Sequence, residues 1–268
     1  MTLVPLPESF EWVHLVCGLV LRCRRLEPVA PNLFTTRGVP LTERDHWCCV
    51  AQAVGADHVV TPQQVHGREV VVIRQGDHPP IERPACDVLV SNDPSIALAV
   101  RAADCVPLLL ADQGSRAVAA VHAGWRGVAA GAIGAAIDAM ARDFGTRAAD
   151  VHVAIGPSIG ACCYEVGSEL VDAFAAAGHP RHLIDRWFQT PPPPRASFPV
   201  GLAAGERPRL RLDLVTASRD QLMLAGVHED HIHVAGLCTA MHLDVLTSYR
   251  AEKSQAGRIA GVITARRQ

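Results

Sequence analysis

Three observations predict a mixed α/β fold of the α+β kind. Short apolar segments of strand length recur between residues 58 and 122, rich in valine, isoleucine and leucine. An alanine-rich stretch, 127–144, then places Ile133, Ile137 and Met140 on one helical face. The strands also cluster before each long helix. That is the pattern of a mixed sheet and not of a regular βαβ array.

The elements follow in order. Residues 10–22 are apolar and read as an early strand. LTERDHWCCVAQAVG, 41–55, reads as a helix with Thr42 as its cap. HVV at 58–60, EVVVI at 69–73, DVLV at 87–90, IALAV at 96–100, VPLLLAD at 106–112 and AVAAVH at 117–122 read as strands. After the 127–144 helix, VHVAIG at 151–156 is a further buried strand. SELVDAFAAAG, 168–178, is a helix that Ser168 would cap. The prolines of 190–208 exclude regular structure and mark a loop. LDLVTASRDQLMLAGV, 212–227, is helical, and HIHVAG and IAGVIT are late strands. The 268 residues, 49% of them hydrophobic, are enough for one large domain. Residues 1–30 carry little motif content and are expected to pack on a single catalytic domain, 31–268, with the proline-rich loop at 190–208.

Composition narrows the function. The net charge is −2 at neutral pH, which argues against a nucleic-acid surface. Lys253 is the only lysine among 25 basic residues, so a lone arginine says little about phosphate, and a P-loop or a Schiff-base mechanism is disfavoured. HLVCGLVL, 14–21, is too short to span a bilayer. Glu8 and Glu11 stand before it, where a signal peptide would be basic. Nine cysteines without framework spacing read as reduced thiols in a cytoplasmic protein.

Three short motifs each set one metal-competent side chain at a turn beside a strand. They are His66 in TPQQVHG, Cys105 in RAADCVPLLL and His122 in VHAGWRG. One strand, a turn and a return strand fit between Cys105 and His122, which places the two at one end of a hairpin. His66 can join them only through tertiary folding. Two imidazoles and a thiolate suit zinc with one open coordination position, and copper accepts the same donors. Taken singly, each residue also reads as a structural histidine or a buried, inert cysteine.

These motifs resemble a known family. QVHG, ADCVPLLLAD, HAGWRG, IGPSIGACCYEVG and SYRAEKSQAGR occur in the order found in YfiH/YlmD-like proteins, also labelled polyphenol oxidase or laccase-domain proteins and purine nucleoside phosphorylases. The resemblance runs from FTTRG at 34–38 to the last strand. It implies four layers, with two mixed β-sheets packed face to face and helices outside. It also implies that His66, Cys105 and His122 are the metal ligands and catalytic residues. The implied reaction is phosphorolysis of adenosine, inosine, guanosine and methylthioadenosine, with adenosine deamination as a side activity. Purine nucleosides and inorganic phosphate would be the partners. Copper-dependent phenol oxidation is the alternative, but the several His-rich motifs of a four-copper oxidase are missing. Two positions depart from the family pattern: Ala103 stands where threonine usually precedes ADC, and Ala251 where a second arginine usually follows Arg250.

Phosphate needs donors, and Arg126 and Arg250 are candidates because they lie inside matched blocks. Gly124 and Gly127 could open backbone N–H groups to an anion or merely relieve crowding. Trp125 fits packing against the sheet better than stacking on a base. Other readings remain open. Cys105 with His122 could act as a thiolate–imidazole hydrolase. GPSIG, Gly156 to Gly160, fits a nucleophile elbow, although Pro157 restricts the turn. A metal-binding scaffold without activity is a third. The adjacent Cys162 and Cys163 fit a vicinal disulfide, a second metal site or simple burial beside Tyr164. Cys86, Cys238 and the Cys48–Cys49 pair read as buried small residues.

Overall fold

The computed structural model describes residues 3–190 and 209–267. The proline-rich stretch expected as a loop therefore lies almost wholly outside the described residues. One six-stranded sheet has the order β1 (Phe10–Leu15), β2 (Gly18–Cys23), β3 (Asn32–Thr35), β15 (Ile259–Thr264), β7 (Ile96–Ala102) and β4 (His58–Val60). The second has the order β14 (Ile232–Val234), β10 (Val151–Ile155), β8 (Val106–Asp112), β9 (Val118–Ala123), β6 (Val88–Ser91) and β5 (Val70–Ile73). Both are mixed, because β4 runs parallel to β7, β5 to β6 and β10 to β14, while the other pairs are antiparallel. A small third sheet joins β11 (Glu165–Val166), β13 (Leu210–Leu212) and β12 (Phe188–Gln189).

The central strands are apolar on consecutive residues because both of their faces are buried. On β8, Val106, Leu108 and Leu110 point to one core, and Leu109 and Ala111 to another. The inner core lies between the sheets, where Leu98, Val100, Ile259 and Ile263 meet Leu89, Leu109, Val118 and Ala120. Phe34 fills the middle of this layer at 0% exposure. It fits only because Gly156 and Gly261 face it; a Cβ on Gly156 would come within 2.3 Å of its ring. The second core packs the outer face of the second sheet against α2 (Trp125–Ala130), α3 (Ala132–Phe144) and α6 (Leu214–Leu224). The third packs the outer face of the first sheet against α1 (Arg44–Ala53). The result is four layers: helix, sheet, sheet and helices.

Several local expectations need correction. The apolar run 10–22 is a hairpin of β1 and β2, because Gly18 takes φ +132° and lets the chain reverse at an exposed Val16. Glu43, and not Thr42, sits at the N-cap of α1. The 127–144 helix breaks at Gly131, whose left-handed φ of 81° ends α2 and starts α3. Ser168 precedes α4 (Glu169–Ala176), but its side chain makes no capping bond; its own dihedrals are already helical. Asp213 caps α6 by accepting from the Thr216 N–H at 2.9 Å. A further helix, α5 (Arg181–Trp187), follows Pro180 and was not expected. Finally, not all thiols are free. Cys17, at the β1–β2 turn, forms a disulfide with Cys49 of α1, which lies over the same sheet. The two are far apart in sequence, and only the packing of α1 brings them together.

Candidate metal centre

The chain crosses from the first sheet to the second between β4 and β5 and again between β7 and β8. His66 lies on the first crossing and Cys105 on the second. His122 lies near the end of β9, opposite Pro107 in the β8–β9 hairpin. The three side chains thus meet at the seam between the sheets. One ligand atom from each lies within 4.8 Å of the others, and the two imidazoles stand edge to face with centroids 4.9 Å apart. His122 is buried, Cys105 half-buried and His66 exposed, so the cluster opens to solvent on one side.

Asp87, which precedes β6 and is fully buried, organises this cluster. Its Oδ1 lies 2.8 Å from His122 Nδ1, so Nε2 is the ring nitrogen left to hold a metal. Its Oδ2 accepts from the backbone N–H groups of Val65 at 3.1 Å and Gly67 at 2.7 Å, the two neighbours of His66. One carboxylate therefore aims one histidine and fixes the loop that carries the other. His66 itself takes φ 61°, an uncommon conformation for a residue with a side chain. Gln64 braces the same loop through both its amide atoms, to Arg101 N at 2.9 Å and Arg101 O at 2.6 Å.

Asp104 plays the matching part for Cys105. Its φ is 93°, and its carboxylate accepts from Thr239 Oγ1 and from the Arg250 backbone N–H, both at 2.6 Å. Its carbonyl accepts from Ile159 N–H at 2.9 Å. The blocks around Cys105, Ile159, Thr239 and Arg250 are thereby locked together. The Arg250 guanidinium donates to the Glu165 carbonyl at 2.8 Å and lies 5.0 Å from the Tyr164 ring. Burial first, and then the nearby Cys105 thiolate, push the Tyr164 hydroxyl up to about 12. Arg126 is exposed and stacks on Trp125 at 4.3 Å. Trp125 itself packs against the helix-side core.

The electrostatics favour a thiolate. Burial raises the Cys105 thiol, but hydrogen bonds and charge from His122 and His66 outweigh it and bring the value down to about 6. Burial lowers His122, and Asp87 and Cys105 more than reverse that, to about 9. Burial likewise raises Asp87, and His122 and the Gly67 N–H hold it net below the ordinary carboxylate value.

The donor set fits a metal. Tetrahedral zinc takes nitrogen at about 2.0–2.1 Å and sulfur at about 2.3 Å, which puts neighbouring ligand atoms about 3.4–3.6 Å apart. Small inward movements of the three side chains reach that spacing. Room for an ion exists because residue 124 is glycine: a Cβ there would lie 2.8 Å from Cys105 Sγ and 3.3 Å from His66 Cδ2. Asp87, Asp104 and Tyr164 were not singled out as site residues from the sequence, and Gly124 was considered only for its backbone N–H or for relief of crowding. Asp104 and Tyr164 lie inside quoted blocks, and Asp87 is a lone carboxylate at the head of an apolar strand. GPSIG carries no elbow: Ser158 is buried and itself bridges to Cys238, and a turn follows at 161–163 where a helix would be needed.

Comparison with known proteins bears on the family and the fold. A family model described as multi-copper polyphenol oxidoreductase laccase matches residues 42–266. A purine nucleoside phosphorylase of Bacteroides thetaiotaomicron is 34% identical over 173 residues, which is 65% of this chain and 58% of the relative's length. Purine nucleoside phosphorylase YlmD of Geobacillus stearothermophilus is 31% identical over 77% of this chain and 72% of its own. The crystal structure of YlmD from that organism superposes with a TM-score of 0.78 at 26% identity, covering 97% of this chain and 100% of that one. Adenosine deaminase RL5, from an unknown prokaryotic organism, is 32% identical over 76% of this chain and 74% of its own. Among the described residues, no helix is long and apolar enough to cross a membrane. By the extent of the family match and by its fold, the chain belongs to the YfiH/YlmD-like family of laccase-domain proteins.

Proposed function

We propose that this chain is a zinc-dependent purine nucleoside phosphorylase of the cytoplasm, acting on adenosine, inosine, guanosine and methylthioadenosine, with adenosine deamination as a side activity. The reading rests on one observation: the ligand atoms of His66, Cys105 and His122 converge within 4.8 Å around space that Gly124 leaves free. The names of the relatives support the reaction class.

Bound at these three residues, zinc would supply Lewis-acid stabilisation of an oxygen nucleophile at its open position. The protein's own groups do the rest. Asp87 holds His122 with Nε2 facing the centre, and it holds the 65–67 turn so that His66 closes the exposed side. Arg250 and Arg126 supply guanidinium donors for phosphate. In phosphorolysis a phosphate oxygen forms a bond to the anomeric carbon as the bond to the purine nitrogen breaks. Positive charge develops on the sugar, and the departing base takes up a proton. When water attacks the purine ring instead, the amine leaves and adenosine becomes inosine.

The test is adenosine with and without phosphate. The expected products are adenine and ribose 1-phosphate only when phosphate is present, with inosine as a minor product in either case. Cys105→Ala should lose both zinc and activity. A protein that binds zinc and releases no adenine would refute the reading. A thiolate–imidazolium pair of Cys105 and His122 is the second reading, favoured by their opposed shifts, to about 6 and about 9. Activity that survives complete zinc removal would select it. Copper-dependent phenol oxidation, the activity in the family label, would show as phenol turnover only after copper loading.

A further inference from the structure

A second cluster lies outside this centre. Cys162 and Cys163 sit in the turn after Gly160, and Cys238 follows β14 on a separate segment. The three sulfur atoms lie within 4.8 Å of one another, with Cys162 and Cys163 Sγ 3.6 Å apart. The two segments are tied by backbone bonds. Ser158 N–H donates to Leu237 O at 3.2 Å and Thr239 N–H to Ser158 O at 3.0 Å, while Cys163 N–H donates to Gly160 O at 2.9 Å and closes the turn within the first segment. The convergence is therefore built into the backbone.

Two further features make this more than a packing coincidence. The Gly160 backbone N–H donates to Cys238 Sγ at 3.2 Å, a contact that fixes that sulfur beside the other two. Gly160 also leaves open the space between the sulfurs, since a Cβ there would lie 3.2 Å from Cys162 Sγ and 3.6 Å from Cys238 Sγ. This repeats the design at Gly124. Cys162 is exposed, so the cluster can be reached from solvent.

We propose that Cys162, Cys163 and Cys238 form a second metal site, built for a soft monovalent cation such as Cu(I). Its three converging donors are all sulfur, whereas the first centre offers two nitrogens and one sulfur. Thiolate donors alone select soft ions, and a three-sulfur set suits trigonal coordination better than the tetrahedral demand of zinc. As each metal–sulfur bond forms, the thiol releases its proton to solvent. No electron is transferred, because the ion enters in its reduced state.

The test uses zinc-loaded protein with Cys162, Cys163 and Cys238 reduced and the Cys17–Cys49 bond intact, titrated with Cu(I) without oxygen against a chromophoric chelator. The wild type should take up one equivalent with thiolate-to-copper ultraviolet absorption. Cys105→Ala should keep that equivalent, and the double variant Cys162→Ser, Cys238→Ser should lose it while holding zinc at the first centre. Gly160→Ala should weaken it at least tenfold. Should the double variant fold poorly, Cys162→Ser alone replaces it, because that side chain is exposed. The proposal fails if the double variant, or Cys162→Ser in its place, binds Cu(I) as tightly as the wild type. It also fails if the wild type takes up no equivalent beyond the one Cys105→Ala removes, or if this cluster takes zinc as strongly as Cu(I).

Discussion

Replacing Gly124 with alanine isolates the role of the space inside the metal centre. The residue sits at φ −76° and ψ 174°, which alanine adopts freely, so the backbone bears no penalty. The new Cβ would stand 2.8 Å from Cys105 Sγ. Ordinary contact between non-bonded heavy atoms is about 3.5–4.0 Å, so the sulfur must retreat by about 0.7–1.2 Å. Metal sites tolerate ligand displacements of only about 0.2 Å. Zinc affinity should therefore fall by about 100-fold or more, close to 2.8 kcal/mol at about 1.4 kcal/mol per tenfold. Overpacking should also cost protein stripped of metal about 1–3 kcal/mol. The assay is zinc competition against a chromophoric chelator, with thermal unfolding measured with and without zinc. Gly124→Ala should lose most of the zinc-dependent rise in Tm and most adenine release. Zinc binding within about threefold of wild type would refute the account of this glycine and weaken the assignment of Cys105 as a ligand.

Three further outcomes follow from the same geometry. Asp87→Asn presents an amide N–H₂ to groups that are all donors, namely His122 Nδ1–H and the N–H groups of Val65 and Gly67. It should weaken zinc by about 10–100-fold in the same competition assay, with the fold retained by circular dichroism. In protein stripped of metal, Cys105 should alkylate as a thiolate with its rate rising through a midpoint near pH 6, read by peptide mass; a midpoint near 9 would contradict the pull of His122 and His66. Because Cys105 sheds a proton and His122 gains one over the same range, folded and unfolded chains hold nearly equal numbers of protons on this pair between pH 6.5 and 9. The pair should thus leave stability flat in that window, since His122 alone would lose stability with rising pH and Cys105 alone would gain it. Reduction of Cys17–Cys49, or Cys49→Ala, opens a loop of sequence separation 32 and should cost about 3–4 kcal/mol in denaturant unfolding.

The layered fold was legible because burial on both faces makes strands such as VPLLLAD and IAGVIT continuously apolar, a pattern that needs no partner to be seen. The same holds for Cys105 and His122, which one hairpin aligns. His66 joined them through its family motif, and the structure supplies the physical reason in the β4–β5 crossing. What stayed hidden depends on contacts across long sequence separations. Asp87 works through His122 and the turn at 65–67, and nothing beside it in the chain marks it. Cys17 meets Cys49 only because α1 folds back over the first sheet. The break at Gly131 escaped because a run of alanine and glycine has helical composition on both sides of it, and only the left-handed dihedral separates α2 from α3.

The position of β15 has a consequence for how the chain is made. This strand lies between β3 and β7 in the middle of the first sheet, and Ile259 and Ile263 complete the inner core. Until residues 259–264 leave the ribosome, β3 and β7 have no common neighbour, and each keeps an unpaired edge beside apolar side chains. A chain emerging from the tunnel therefore carries that sheet split in two from the completion of β7 until β15 appears, the condition under which holding chaperones act. Slowing translation between β7 and β15 should lengthen this exposure without helping the sheet to close, because the missing strand lies far downstream of both its neighbours.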